Sequence, residues 1–161
     1  NMAEISDKRE RLKAKVEEMG IYFEKKGLSP MPGRVLAFLL LAEPPYQDFY
    51  SIQESLQASK SAISNALNHL QRDGVVDYIT FSGDRRRYFR VNSKSWLDSI
   101  ESKINDITTL RDLLTDVLHE RKDSKYLDFN EGLETIVEFH TFIAGKVEAL
   151  KAEWNALKAG K

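Results

Sequence analysis

With 161 residues, 42% of them hydrophobic, the chain is long enough to bury a core without disulfide or metal staples. It has no cysteine, which excludes disulfide frameworks, cysteine-ligated zinc, iron–sulfur clusters and thiol nucleophiles, and fits a reducing compartment. Lysine and arginine (24) almost balance aspartate and glutamate (25), so any nucleic-acid site must be a local patch.

The longest apolar run begins at Val35 and ends before Glu43, far short of the about 20 residues of a membrane span. No basic segment followed by an apolar stretch opens the chain, and Asn1 ahead of Met2 reads as a tag remnant. The expectation is a cytoplasmic protein that does not enter the membrane.

Ile5, Leu12, Val16, Met19 and Phe23 recur at helical spacing, predicting a first helix from Ile5 to about Lys26, with Gly27 as its stop. Ser29-Pro30-Met31-Pro32-Gly33 reads as a break. A second, nearly all-apolar helix is expected from Arg34 to about Glu43, buried at the centre and ended by Pro44-Pro45. Ser51, with Glu54 three residues on, reads as the capping box of a short third helix that turns Ile52 and Leu56 inward. After Gln57-Ala58, Ser59 caps a fourth helix that runs to about Asp73, with Gly74 as a left-handed stop. Two β-like runs follow, Val75–Phe81 and Tyr88–Asn92, joined by a hairpin-length connection containing Gly83.

From Trp96 to about Arg121, Leu97, Ile100, Ile104, Ile107, Leu114 and Leu118 keep a helical rhythm. The last helix, about Asp128 to Ala159, carries Phe129, Leu133, Ile136, His140, Ile143, Val147, Leu150, Trp154 and Leu157 alternately four and three residues apart. That is the a/d seam of a helix–helix contact, interrupted only by His140. A narrow apolar seam is not stable alone. The reading is a homodimer whose interface includes Leu12, Val16, Ile136, Ile143, Val147, Leu150 and Trp154; the alternative is a self-contained monomeric bundle.

The order of two short helices, a tight turn and a basic hairpin over Ser51–Arg90 is that of a helix-turn-helix with a wing. In the fourth helix Ile63, Ala66, Leu67 and Leu70 form the buried side. The opposite face carries Ser61, Ser64, Asn65, Asn68 and Arg72, with no acid among them. Serine and asparagine are poor helix formers, and an ordinary solvated face mixes glutamate with lysine. Short amides and hydroxyls instead let a helix enter the major groove and hydrogen-bond base edges. Lys60 stands at the helix N-terminus, where a phosphate is favoured. Across Ser59–Lys94 seven basic residues face three acidic ones, a local charge of +4 that leaves −5 for the rest of the chain. Arg85, Arg86 and Arg87 concentrate that charge at the hairpin tip, where phosphate neutralisation supplies affinity and an arginine can enter the minor groove. Asp84 beside them reads as an ion-pair partner that orients one arginine. The candidate DNA-binding residues are therefore Lys60, Ser61, Ser64, Asn65, Asn68, Arg72, Arg85, Arg86 and Arg87. The rival reading is a winged helix that binds another protein.

The run Leu56–Leu67, then Leu70, Gly74-Val75-Val76 and Gly83–Tyr88, resembles the MarR-type winged-helix regulators, and among them the GbsR-like branch. The resemblance covers roughly residues 30–92 in motif and the whole chain in layout. It implies a homodimer whose two recognition helices enter successive major grooves of a pseudo-palindromic double-stranded DNA operator, acting as a repressor. It also implies a small-molecule effector, bound between the winged domain and the dimer helices, that releases DNA. Many relatives carry an arginine where this chain has Asn65, which puts guanine readout there in doubt.

The expected fold is therefore mainly α with a small β-hairpin wing: an N-terminal dimerisation helix (1–27), a winged helix-turn-helix DNA-binding domain (28–94) and a C-terminal helical dimerisation region (95–161). Phe23, Tyr46 and Phe49, with Tyr22 and Tyr50, are aromatic candidates for an effector pocket holding a quaternary ammonium group; packing explains them more simply. His69, His119 and His140 are scattered, with no HExxH, no glycine-rich phosphate loop and no nucleophile elbow. The expectation is no enzyme, no metal and no cofactor, with His140 a satisfied core histidine.

Overall fold

The most apolar segment of the chain is also the centre of the fold. In the computed structural model, which describes residues 1–161, the elements run α1 (Met2–Lys25), α2 (Pro30–Leu41), β1 (Gln47–Asp48), α3 (Phe49–Leu56), α4 (Lys60–Arg72), β2 (Val76–Ile79), β3 (Tyr88–Val91), α5 (Ser93–Glu120) and α6 (Leu127–Ala159). They fall into two units, residues 1–99 and 100–161.

In the first unit Val35, Leu36 and Leu39 of α2 meet Ile52 of α3, Ile63, Ala66, Leu67 and Leu70 of α4, Val76 of β2 and Phe89 of β3 in one buried cluster. Phe23, Leu28, Phe49 and Trp96 pack around it. The three strands form an antiparallel sheet in the order β1-β3-β2, with Asp48 opposite Tyr88 and Asp77 opposite Arg90. Helix α1 groups with this block, packing along α2 more extensively than any other pair of elements. The approach is close because Gly20 meets Gly33: a Cβ on Gly33 would stand 3.2 Å from the Phe23 Cβ and 3.3 Å from the Gly20 carbonyl. Arg34 fastens it, its Nη2 donating to Glu17 at 2.5 Å and its Nη1 to Glu24 at 3.3 Å.

Two expectations need correction, and one element is added. The second helix starts at Pro30, not Arg34: Ser29 is its N-cap position and the prolines sit in the first turn, where no intrahelical N–H is needed. The third helix is capped by Asp48, not Ser51; the Asp48 carboxylate accepts from the Ser51 backbone N–H at 2.8 Å. Gln47-Asp48, unassigned by pattern, is a short third strand. The Ser59 cap stands as expected, its hydroxyl accepting from the Ala62 N–H at 3.2 Å.

In the second unit α5 and α6 are joined by a turn that Arg121 and Asn130 close reciprocally. Arg121 Nε donates to Asn130 Oδ1 at 2.8 Å, and Asn130 Nδ2 donates to the Arg121 carbonyl at 3.1 Å. Lys151 reaches Asn105 at 3.1 Å. The two helices do not otherwise form a close-packed pair, and neither has a single buried residue. Ile136, Leu150 and Trp154 are exposed, Leu150 by 62%, while Ile143 and Val147 are half-buried. His140 is half-buried, with Nδ1 at 2.8 Å from its own helix's Ile136 carbonyl. It is therefore satisfied, but by its own backbone and not in a core. No helix is long and apolar enough to cross a membrane.

Candidate nucleic-acid interface

Helix α4 presents two sides of opposite chemistry. Ile63, Ala66, Leu67 and Leu70 are buried, which fixes the rotation of the helix. Lys60, Ser61, Asn65, Asn68 and Arg72 are thereby exposed and Ser64 half-exposed. Lys60, Ser64 and Asn68 line one wall of an open cleft of about 700 Å3, and Arg85, Arg86 and Arg87 line the wall opposite. Asn65, Asn68 and Arg72 face a second cleft, of about 580 Å3, between α4 and the start of α2. Asn68 thus borders both. Ser61 lines neither and lies 3.3 Å, hydroxyl to hydroxyl, from the Ser59 cap.

Three residues of the wing-side cleft, Tyr50, Gln53 and Gln71, are absent from the sequence-based candidates for DNA contact. Gln71 carries a readable signal, three residues after Asn68 and seven after Ser64. Tyr50 and Gln53 do not, because their exposure depends on where Asp48 starts α3.

The wing is built around one carboxylate. A turn closed by the Asp84 N–H on the Phe81 carbonyl (3.1 Å) places Gly83 at φ +82°, a conformation glycine adopts without strain. Asp84 then accepts from the Arg86 N–H (2.9 Å), from Arg86 Nε (3.1 Å) and Nη2 (3.0 Å), and from the Tyr88 hydroxyl (2.5 Å). These bonds, led by the Arg86 side chain, hold the Asp84 carboxyl well below the usual carboxylate range, and the bond to Asp84 raises the Tyr88 hydroxyl. Arg86 also donates through Nη1 to Asp48 at 3.1 Å. Arg87 lies over the Tyr78 ring, 4.7 Å from its centre, and pairs with no carboxylate; neither does Arg85.

The other acids of this segment are also engaged. Asp77 accepts from Arg90 Nε at 2.9 Å, and Asp73 lies 3.3 Å from His69 Nε2. Lys60, Arg72, Arg85, Arg87 and Lys94 are left as the cations with no carboxylate partner, four of them on α4 or at the wing tip.

The aromatic candidates do not come together as a cage. Tyr46 packs against Phe81 and Tyr88, with ring centres 5.3 and 5.9 Å away. Arg86 lies 5.3 Å from the Tyr88 ring centre. Phe23 and Phe49 pack on the core, and Phe49 also borders the wing-side cleft. No three histidine, aspartate or glutamate side chains gather as a metal-binding group.

A buried core of α2, α3 and α4, with a polar outer face on α4 and an adjoining three-stranded sheet, decides the architecture. The fold is a winged helix-turn-helix. A solved structure of a transcriptional regulator matches it with a TM-score of 0.72 at 25% identity, over 91% of this chain and 99% of that one. Over 98 residues, 61% of its length, the chain is 34% identical to the HTH-type transcriptional regulator MmpR5 of Mycobacterium tuberculosis (strain ATCC 25618 / H37Rv). It spans 59% of that relative's length. No family model matches the chain. Both similar proteins are transcriptional regulators.

Proposed function

We propose that the chain is a cytoplasmic, homodimeric, DNA-binding transcriptional regulator of the MarR type, in its GbsR-like branch, acting as a repressor. The observation that carries the reading is the wing-side cleft, with the acid-free face of α4 on one wall and the unpaired Arg85 and Arg87 on the other. Helix α4, about 20 Å long, has the width and polar surface to enter a major groove. Ser64, Asn65 and Asn68 read base edges there, while Lys60, Arg72, Arg85 and Arg87 neutralise phosphates.

The dimer reading is supported by the second unit, in which no apolar residue is fully buried within the chain. A second copy covering Ile136, Ile143, Val147, Leu150 and Trp154, with Leu12 and Val16 of α1, supplies what each copy lacks. An effector would raise the thermal midpoint on binding the folded state.

Fluorescence anisotropy on double-stranded DNA from upstream of the protein's own coding region, across a salt series, tests the function. Affinity falling steeply with salt, and abolished when Arg85 and Arg87 both become alanine, is the expected result. Absent or salt-insensitive binding would instead support a winged helix that docks a protein.

A further inference from the structure

The open face of α6 is not the even a/d series of the sequence pattern. Leu133, Val137, His140 and Ala144 are half-buried, on the side from which Lys151 reaches Asn105 of α5. The stripe beside them passes instead through Gly132 and Phe139, both exposed, and is centred on Ile143. Phe139 and Val147 lie four residues either side of Ile143, and Ile136 and Leu150 seven. Gly132 and Trp154 lie eleven either side, and Phe129 and Leu157 fourteen. The spacing is a palindrome. A two-fold interface pairs residue i with j and j with i. A helix that meets its own copy head to tail therefore needs apolar positions that read alike from both ends, with one residue on the axis. A parallel pair has no such need, because each residue meets itself.

Charge selects the same orientation. From Leu127 to Phe142 the helix carries Asp128, Glu131, Glu134 and Glu138 and no lysine or arginine, a net −4. From Ala144 to Lys161 four lysines face Glu148 and Glu153, four minus two or +2. Antiparallel pairing lays the negative half of one copy along the positive half of the other, whereas parallel pairing lays −4 on −4. Size agrees as well. A Cβ on Gly132 would meet nothing within 4 Å, so nothing inside one copy asks for glycine there, and glycine weakens a helix interior. Its counterpart in the palindrome is Trp154, the bulkiest residue of the stripe and 54% exposed.

We propose that α6 pairs antiparallel with α6 of a second copy, with Ile143 on the two-fold axis and each Trp154 indole filling the space over Gly132 of the partner subunit. The proposal rests on the homodimer reading, which supplies the second copy; the palindrome and the charge supply orientation and register.

The test is crosslinking of the full chain, which has no cysteine of its own. Ile143→Cys, Ile136→Cys and Leu150→Cys are each treated with a bis-maleimide shorter than one helix diameter, about 10 Å. Ile143→Cys is expected to link to itself. Ile136→Cys and Leu150→Cys are each expected not to, since identical positions then lie about 21 Å apart at about 1.5 Å per residue. Mixed in equal amounts and allowed to exchange subunits, the last two are expected to link in about half of the dimers. Self-linking of all three variants means a parallel pair and overturns the proposal. Absence of links in a protein that light scattering shows to be dimeric also overturns it, because α6 is then not the seam.

Gly132→Leu checks the register separately. It replaces a poor helix former by a good one and meets nothing in its own copy, so it does not threaten the fold. The proposal predicts a dimer dissociation constant raised at least about tenfold, because the partner's Trp154 loses its space. An unchanged constant overturns the register. A wild type that stays monomeric at every concentration refutes the homodimer reading itself, a separate result.

Discussion

The two units solve the burial problem in opposite ways. The first closes on itself: Leu70 of α4 is 1% exposed and sits in a cluster drawn from three helices and two strands. The second contains α6, longer than any other element, yet buries no residue fully, and Leu150 stands open. The same residue type on helices of one chain thus has two fates, set by the width of the apolar stripe. Helix α4 packs a stripe at i, i+3, i+4 and i+7 into its own domain, while α6 offers a narrow seam that only another helix fits.

The largest effects should separate these fates. Leu70→Ala should cost about 2–5 kcal/mol at any protein concentration, read by denaturant unfolding. Leu150→Glu should leave the winged block folded and turn the proposed dimer into monomers by light scattering. An unchanged oligomeric state would break the comparison, since the seam would then have no partner to lose.

The tryptophans sharpen it, one in each unit. Trp96 packs against the core, and Trp154 is 54% exposed in a single copy. With Trp154→Phe, emission from Trp96 should not change on dilution. With Trp96→Phe, emission from Trp154 should shift to the red as the protein is diluted through the dissociation constant of the proposed dimer.

Next in size are changes within the first unit. Gly33→Ala must push Phe23 or the Gly20 backbone aside and should cost about 1–3 kcal/mol, by thermal unfolding. Ser59→Ala removes the α4 cap and should cost about 1 kcal/mol, with a parallel loss of DNA affinity because the recognition helix begins there.

How much of the molecule is readable from its sequence depends on whether the deciding interaction is local. Ser59, Gly83 and the buried face of α4 are legible because cap, turn and helical period act within a few residues. The a/d seam of α6 is legible as a pattern, but the identity of its partner is not a property of one chain. The start of α2 is hidden because Pro30 and Pro32 look like breakers until Ser29 is seen in the cap position, where prolines in the first turn cost nothing. The Asp48 cap is hidden for a different reason. Ser51-x-x-Glu54 is the stronger local signal, but Asp48 wins because β3 and Arg86 bury and neutralise it from 38 residues away. Its bond from Arg86 is invisible to local pattern for the same reason.

The smallest expected effect concerns acid, and it distinguishes the carboxylates of the wing from ordinary ones. Bonds from Arg86 and Tyr88 lower the Asp84 carboxyl. At Asp48 burial raises the pKa but the bonds from Ser51 and Arg86 win, and at Asp77 burial is likewise outweighed by Arg90 and Asn92. Each lowered carboxyl is ionised in the folded state at a pH where the unfolded chain has begun to take up protons. The stability it lends is therefore whole above the unfolded carboxylate pKa, near about 4, and is lost as pH falls through the lower folded value. Trp96 emission should report a first unit that weakens progressively below about pH 4. Asp84→Asn should make that decline shallower, since it removes the group whose protonation is linked to folding. An acid profile identical in wild type and Asp84→Asn would mean that solvent screens the wing pairs and that the wing is held by its aromatic packing of Tyr46, Phe81 and Tyr88.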